Sequence, residues 1–146
     1  MTRINSAIPV TQLTNEHLLA EHREIKRLPY AYKLAVKSGS IKRIPKEFTL
    51  GRGHVLFFLD KMTFIMKRYI AIRDECKRRN LAVNDYLGNW LTNDFTDECK
   101  QDYTPTEREH DLLVERIKER ITNSPRKYWH YYNKTLTKQD AINLLK

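Results

Sequence analysis

The sequence predicts an all-α fold, and three observations predict it. Glycine is scarce, 4 of 146 residues, where tight-turned β-proteins use more. Clean period-two alternation of apolar and polar residues is absent. Apolar residues recur instead at spacings of three and four, the period of a helix with one buried face. The length suits one domain spanning residues 1–146, large enough to bury a core without disulfide or metal staples. Hydrophobic residues make up 40% and charged residues 31%, which describes a globular chain and not a disordered tail. The expected architecture is a compact single domain of three main helices plus short helical pieces.

The elements follow in order. Thr14 or Asn15 can cap a first helix whose stripe is Leu18, Glu21, Ile25 and Leu28. Pro29 should kink or break it, with resumption through Ala31, Leu34 and Ala35 and an end at Ser38-Gly39-Ser40. A connection with Pro45 and Gly51 leads to a second, long helix. Val55, Phe58, Leu59, Met62, Ile65, Met66, Tyr69, Ile70 and Cys76 give it a broad apolar stripe. Lys77-Arg78-Arg79 suits its C-terminal end. A short helix is expected near Tyr86–Trp90, then a loop. Pro105 or Thr106 starts the third main helix, with His110, Leu113, Val114, Ile117 and Ile121 on one side and Arg108, Arg116 and Arg120 on the other. An aromatic cluster, Tyr128 to Tyr132, follows. Thr137-x-x-Asp140 reads as a capping box before a short last helix.

Charge narrows the function. Lys and Arg number 27 against 18 Asp and Glu, a net charge of +9. A small domain this basic suits a polyanion, with nucleic acid as the first expectation. The longest apolar run, Val55 to Leu59, is far from the ~20 residues of a membrane span. Cys76 and Cys99 form no CxxC or zinc pattern and read as reduced structural thiols. Motifs for nucleotide loops, zinc proteases and serine hydrolases are missing.

Several constellations admit two readings. Gly51-Arg52-Gly53-His54 either shapes a turn or offers a phosphate site at a helix start. His17, Glu21 and Glu24 share one side of the first helix, and Arg23 and Arg27 form an i,i+4 pair. That helix is either a surface helix with salt-bridge pairs or carries a partly buried carboxylate. His17 with Glu21 makes a poor metal site without a third ligand, so no metal is expected. Arg116 and Arg120 either pair with Glu115 and Glu119 on an exposed face or contact phosphates. Trp129, Tyr131 and Tyr132 pack on the first helix or form a base-stacking platform.

A longer pattern runs through these pieces. Thr2-Arg3-Ile4-Asn5, His17 to Glu24, and Leu50-Gly51-Arg52-Gly53-His54-Val55-Leu56-Phe57-Phe58-Leu59-Asp60-Lys61 resemble the phage pyrimidine-dimer DNA glycosylases. Lys67-Arg68, Glu75-Cys76-x-x-Arg79, Asp102-Tyr103-x-Pro105 and Tyr131-Tyr132-x-Lys134 extend the resemblance to about Leu136. It implies an all-α DNA glycosylase with abasic-site lyase activity, acting on damaged double-stranded DNA without a cofactor. It implies that Met1 is removed and that the amine of Thr2 is the nucleophile, with Glu24 the catalytic carboxylate. Arg3, Arg23, Arg27, Arg116 and Arg120 match the family's DNA-contacting positions, the last a lysine in the family pattern. Lys26 stands where the family has a proline. A monomer is expected, with no membrane partner. The expected location is the cytoplasm, that of the host cell if the protein is phage-encoded.

The residue types suit this chemistry. An α-amino group with a pKa of about 7.7–8.0 is far more available at neutral pH than a lysine near 10.4. A carboxylate such as Glu24 can stabilise positive charge at the sugar and move protons for β-elimination. Two readings compete with this one. One is a non-catalytic basic all-α DNA-binding protein, which needs neither a free Thr2 nor Glu24. The other is the same chemistry on another damaged or modified base.

Overall fold

The structure, a computed structural model, describes residues 4–146. An N-terminal arm runs into a 3-10 turn at Val10–Gln12, and Thr14 then caps α1 (Asn15–Ile25) by accepting from the His17 N–H. The break after α1 falls at Lys26 and Arg27, ahead of Pro29. Helix α2 (Leu28–Ser38) resumes with Pro29 in its first turn, where a missing N–H interrupts no intrahelical bond. Gly39 ends α2 at φ 84°, a left-handed conformation that glycine adopts without steric cost. A 3-10 turn follows at Ser40–Arg43.

The second predicted helix is divided. A single turn, α3 (His54–Phe57), is followed by α4 (Met62–Arg78). The interruption has a cause that apolar spacing does not reveal. The carbonyl of Asp60 accepts from Gln101 N–H at 3.3 Å, and Phe64 N–H donates to Gln101 at 3.4 Å. The strand-like bridge between Lys61 and Lys100 thus takes the place of helical bonds. Phe57 and Phe58 meet Phe48, Phe64, Tyr103 and the His54 ring, mostly edge to face. Beyond α4 come α5 (Gly88–Leu91), a 3-10 turn at Asp97–Cys99 and α6 (Glu107–Asn123), capped by Thr106.

The aromatic cluster is a hairpin, an element the sequence pattern does not reveal. Strand β1 (Tyr128–Tyr131) pairs antiparallel with β2 (Lys134–Thr137), with Trp129 opposite Leu136. An isolated two-stranded hairpin is marginal in water. This one is docked onto the start of α1: Tyr132 and Asn15 exchange two hydrogen bonds, and Glu16 accepts from His130 N–H at 2.8 Å. Trp129 is buried. The capping box of Thr137 and Asp140 opens α7 (Lys138–Asn143), which packs on α6. The fold is mostly helical, with α1 lying against α4 at its centre. Cys76 and Cys99 are buried free thiols, and burial pushes the Cys76 pKa up to about 11. No helix of the described residues is long and apolar enough to cross a membrane.

Candidate active site and DNA interface

The arm from Ile4 to Leu13 is buried over much of its length but joins no sheet and has only two short turns, at Asn5–Ile8 and Val10–Gln12. Its backbone groups therefore need partners from side chains. Buried polar residues supply them. His54 Nε2 accepts from Ile4 N–H at 3.2 Å. Arg68 donates to the Ile8 carbonyl at 2.6 Å. Arg79 donates to Val10 at 3.1 Å and Leu13 at 2.7 Å. Ser6 Oγ donates to Glu109 at 3.3 Å.

Charges buried in this way need counter-charges, since an uncompensated one costs several kcal/mol. Glu21 grips Arg68 with both oxygens, at 2.8 and 2.9 Å. Glu75 holds Arg79 at 2.8 Å. Burial would raise the Glu75 pKa, but hydrogen bonds from Tyr132, Arg79 and Arg78 outweigh it and hold it below the usual value. Glu109 also accepts from the Tyr103 hydroxyl, and burial together with this carboxylate raises the Tyr103 pKa.

His54 is the junction of these parts. The Ile4 N–H can only donate, so Nε2 is the acceptor and Nδ1 carries the proton, directed at the Thr49 carbonyl 2.9 Å away. Burial pulls the His54 pKa down to about 4; the Thr49 carbonyl opposes this and the Arg116 charge adds to it. The ring is thus a neutral, fixed imidazole. Gly53 at φ 91° turns the chain into α3. A side chain there would also crowd Pro45 at 3.3 Å. Gly53 is therefore required by the turn.

The predicted residues fall into three groups. Thr2 and Arg3 lie outside the described residues. Arg23, Glu24 and Arg27 sit at the end of α1. Glu24 is half-buried, three residues beyond the buried Glu21 on the same side of the helix, and 3.7 Å from the exposed Arg27. Arg23 is exposed. Arg116 and Arg120 are half-buried on α6. With Leu50, Gly51 and Glu119 they line a depression of about 350 Å³. A second depression of about 390 Å³ shares Leu50 and Gly51 and reaches His54, Val55 and Leu59. Arg116 also approaches the Leu50 carbonyl at 3.5 Å. Leu50 and Gly51, common to both depressions, join the Arg116–Arg120 face of α6 to the His54 turn, which holds the arm at Ile4.

A family model for pyrimidine dimer DNA glycosylase matches residues 1–87, more than half of the chain. The chain belongs to this family. The matched segment contains the arm together with α1, the His54 turn and α4, which are the parts that hold the arm in place. The Arg116–Arg120 face of α6 lies beyond it. As a DNA glycosylase the protein acts on damaged DNA, and its net charge of +9 suits that polyanion.

The sequence pattern did not single out His54, Arg68, Arg79 or Glu109 as site-building residues. Glu75 and Arg79 at i,i+4 were a visible signal, but one that reads equally as a surface pair. The His17–Glu21 metal alternative is answered by geometry: Glu21 is engaged by Arg68, and His17 Nδ1 lies 3.0 Å from Thr14 Oγ1.

Proposed function

We propose that the glycosylase excises a damaged pyrimidine, a cyclobutane dimer being the intended lesion, and then cleaves the abasic site, using the amine of Thr2 as nucleophile. The observation that carries this reading is the anchored arm. Ile4 N–H is held by His54, whose depression shares Leu50 and Gly51 with that of Arg116 and Arg120, and two further residues of chain reach at most ~7 Å. Thr2 lies two residues before this bond, so a backbone held at Ile4 supports its amine as the nucleophile.

The amine nitrogen attacks C1′ of the damaged nucleotide. The N-glycosidic bond breaks and the base leaves with the bonding electron pair. Ring opening passes a proton to the sugar oxygen and leaves an imine between C1′ and the amine. The imine acidifies the C2′ hydrogen; its loss expels the 3′ phosphate by β-elimination, and water releases the protein. Glu24 stabilises the cationic sugar and carries the protons of imine formation and elimination. Arg3, Arg23, Arg27, Arg116 and Arg120 contact phosphates around the distorted site. Reaching C1′ costs a few kcal/mol of unstacking, least at a lesion. One protomer supplies every group in this scheme.

The test is incubation with dimer-containing, abasic-site and undamaged duplexes in the presence of borohydride. A trapped adduct on the first two only is expected, and acetylating the N-terminus should remove it. Adduct formation by the blocked protein would transfer the role to a lysine. Excision of a different pyrimidine lesion, with the dimer untouched, would redirect the substrate.

A further inference from the structure

We propose that His54 is a positioning residue for the N-terminal amine: by accepting from the Ile4 N–H it fixes the point from which the last two residues of the arm extend. This inference rests on the reading of Thr2 as nucleophile.

The geometry carries it. His54 is 3% exposed, so its ring does not present itself to DNA. Its Nδ1–H is committed to the Thr49 carbonyl. Phe48 and Phe58 meet its ring edge to face at centroid distances of 5.4 and 5.5 Å. The ring cannot turn without losing both faces and a hydrogen bond, so Nε2 is a fixed acceptor. The neighbouring polar anchor on the arm is Ser6 at Glu109. Ile4 and Asn5 are buried, so losing this bond leaves the arm packed but frees the Ile4 peptide to change direction, and such a change is carried to the chain before it. An amine that must meet C1′ in line depends on such placement, since a misplacement of ~1 Å costs on the order of 10²-fold in rate.

A purely packing role makes a different demand. If the ring only fills space among Phe48 and Phe58, phenylalanine serves as well as histidine. If the acceptor matters, glutamine, whose Oε1 can take the Ile4 N–H, serves better than phenylalanine. The pair His54→Phe and His54→Gln therefore separates the two roles.

The experiment has two arms, both on the full chain. In the first, the borohydride adduct of the wild-type protein with an abasic-site duplex is digested and the DNA-linked peptide is identified by mass. An N-terminal peptide is expected; an adduct on a lysine overturns the nucleophile assignment and this inference with it. In the second arm, the variants are compared by single-turnover adduct formation at saturating protein. Affinity for a reduced abasic-site duplex and the thermal midpoint are measured alongside. His54→Phe should slow adduct formation ~10–100-fold with affinity within ~3-fold of wild type, the signature of lost positioning. His54→Gln should recover most of that rate. Ile72→Val, a core truncation in α4, provides a variant of lowered stability with the wild-type adduct rate. Should His54→Phe fail to fold, His54→Met, apolar and adaptable in shape, replaces it. With the adduct on the N-terminus, equal rates for the apolar and glutamine variants, or losses that follow thermal stability across all variants, would overturn the role of His54 alone.

Discussion

Two sets of arginines in this protein do opposite work. Beneath the arm, Arg68 and Arg79 are 8% and 3% exposed, each locked to a buried carboxylate and to arm carbonyls. At the end of α1, Arg23 and Arg27 are exposed, and Arg27 meets Glu24 only loosely at 3.7 Å. The first set has its donors consumed by the protein and fixes a backbone. The second keeps donors turned outward, where phosphates can take them. Net charge does not separate the two, because all four count alike toward +9. What separates them is whether a carboxylate and a carbonyl await the guanidinium inside the fold.

The largest expected effect breaks the buried set. Arg79→Ala leaves Glu75 buried with only Arg78 and Tyr132, removes the donor of the Leu13 carbonyl, and leaves the Val10 carbonyl with Leu13 N–H alone. It also removes the cation on which the Tyr131 and Tyr132 rings sit, 4.8 Å from each centroid. Removing one partner of a buried pair costs ~3–5 kcal/mol. Denaturant unfolding should show a loss of that size. A loss below ~1 kcal/mol, the scale of surface pairs, would place Arg79 among the exposed arginines. The same guanidinium bonds the arm and stacks on the hairpin, so the hairpin's signals should loosen with it.

The next effect falls on Glu24. Glu24→Gln keeps shape and removes the charge opposed to the sugar cation. Losing such an interaction in a preorganised site costs on the order of 10²–10³-fold in rate. Excision should drop by that factor while DNA affinity stays near wild type. Excision at the wild-type rate would withdraw the role from Glu24. Its neighbour one turn back is not a substitute, because both Glu21 oxygens are held by Arg68.

The contrast explains what could be read in advance. Helices α1 and α6 with their Thr14 and Thr106 caps, and the Thr137–Asp140 box, follow from local chemistry and apolar spacing. The break between α3 and α4 and the hairpin do not, because both depend on partners distant in sequence: Gln101 for Asp60, and Asn15 for Tyr132. The candidate site divides in the same way. Glu24 and the arginines of α1 and α6 are visible as charges at helical spacing. His54 is visible only as a letter in a glycine-containing motif, because its function lies in a bond to a residue 50 positions away.

Acid should act on the floor of the site before the rim. His54 is held near pKa 4, below its unfolded value of about 6.5, so the unfolded chain binds the extra proton first. Its contribution to stability is complete above pH 6.5 and is lost as pH falls toward 4. The expected slope from one such group is at most ~1.4 kcal/mol per pH unit. His22, whose pKa is lowered mainly by burial and then by Lys26, adds to the same window. Glu75, with its pKa held down, loses its share only as pH drops through the lower carboxylate range. Thermal midpoints should therefore fall from pH 6.5 downward, and His54→Gln should flatten that fall. An unchanged slope in His54→Gln would mean that the loss belongs to His22.

The smallest effects test the rim. If Arg27 and Arg116 each neutralise one phosphate, replacing either with alanine should lower the log–log salt slope of DNA binding by about 0.9. Undamaged and damaged duplexes should lose affinity alike, since a phosphate contact carries no sequence information. The two positions need not behave identically. Arg27 is exposed and flanks Glu24, so a contact at the reacting nucleotide would make its loss heavier on damaged duplex. Arg116 is half-buried against the Leu50 carbonyl and contributes to the field at His54. Its removal should therefore also raise the His54 pKa slightly and shift the acid transition, which Arg27→Ala should not do. Titrations of both duplexes at several salt concentrations, with pH–stability curves for both variants, separate these outcomes. A slope unchanged in both would place the DNA face elsewhere, with Lys77 and Arg78, exposed at the end of α4, as the next cations to replace. Arg79 beside them is excluded from that role by its burial.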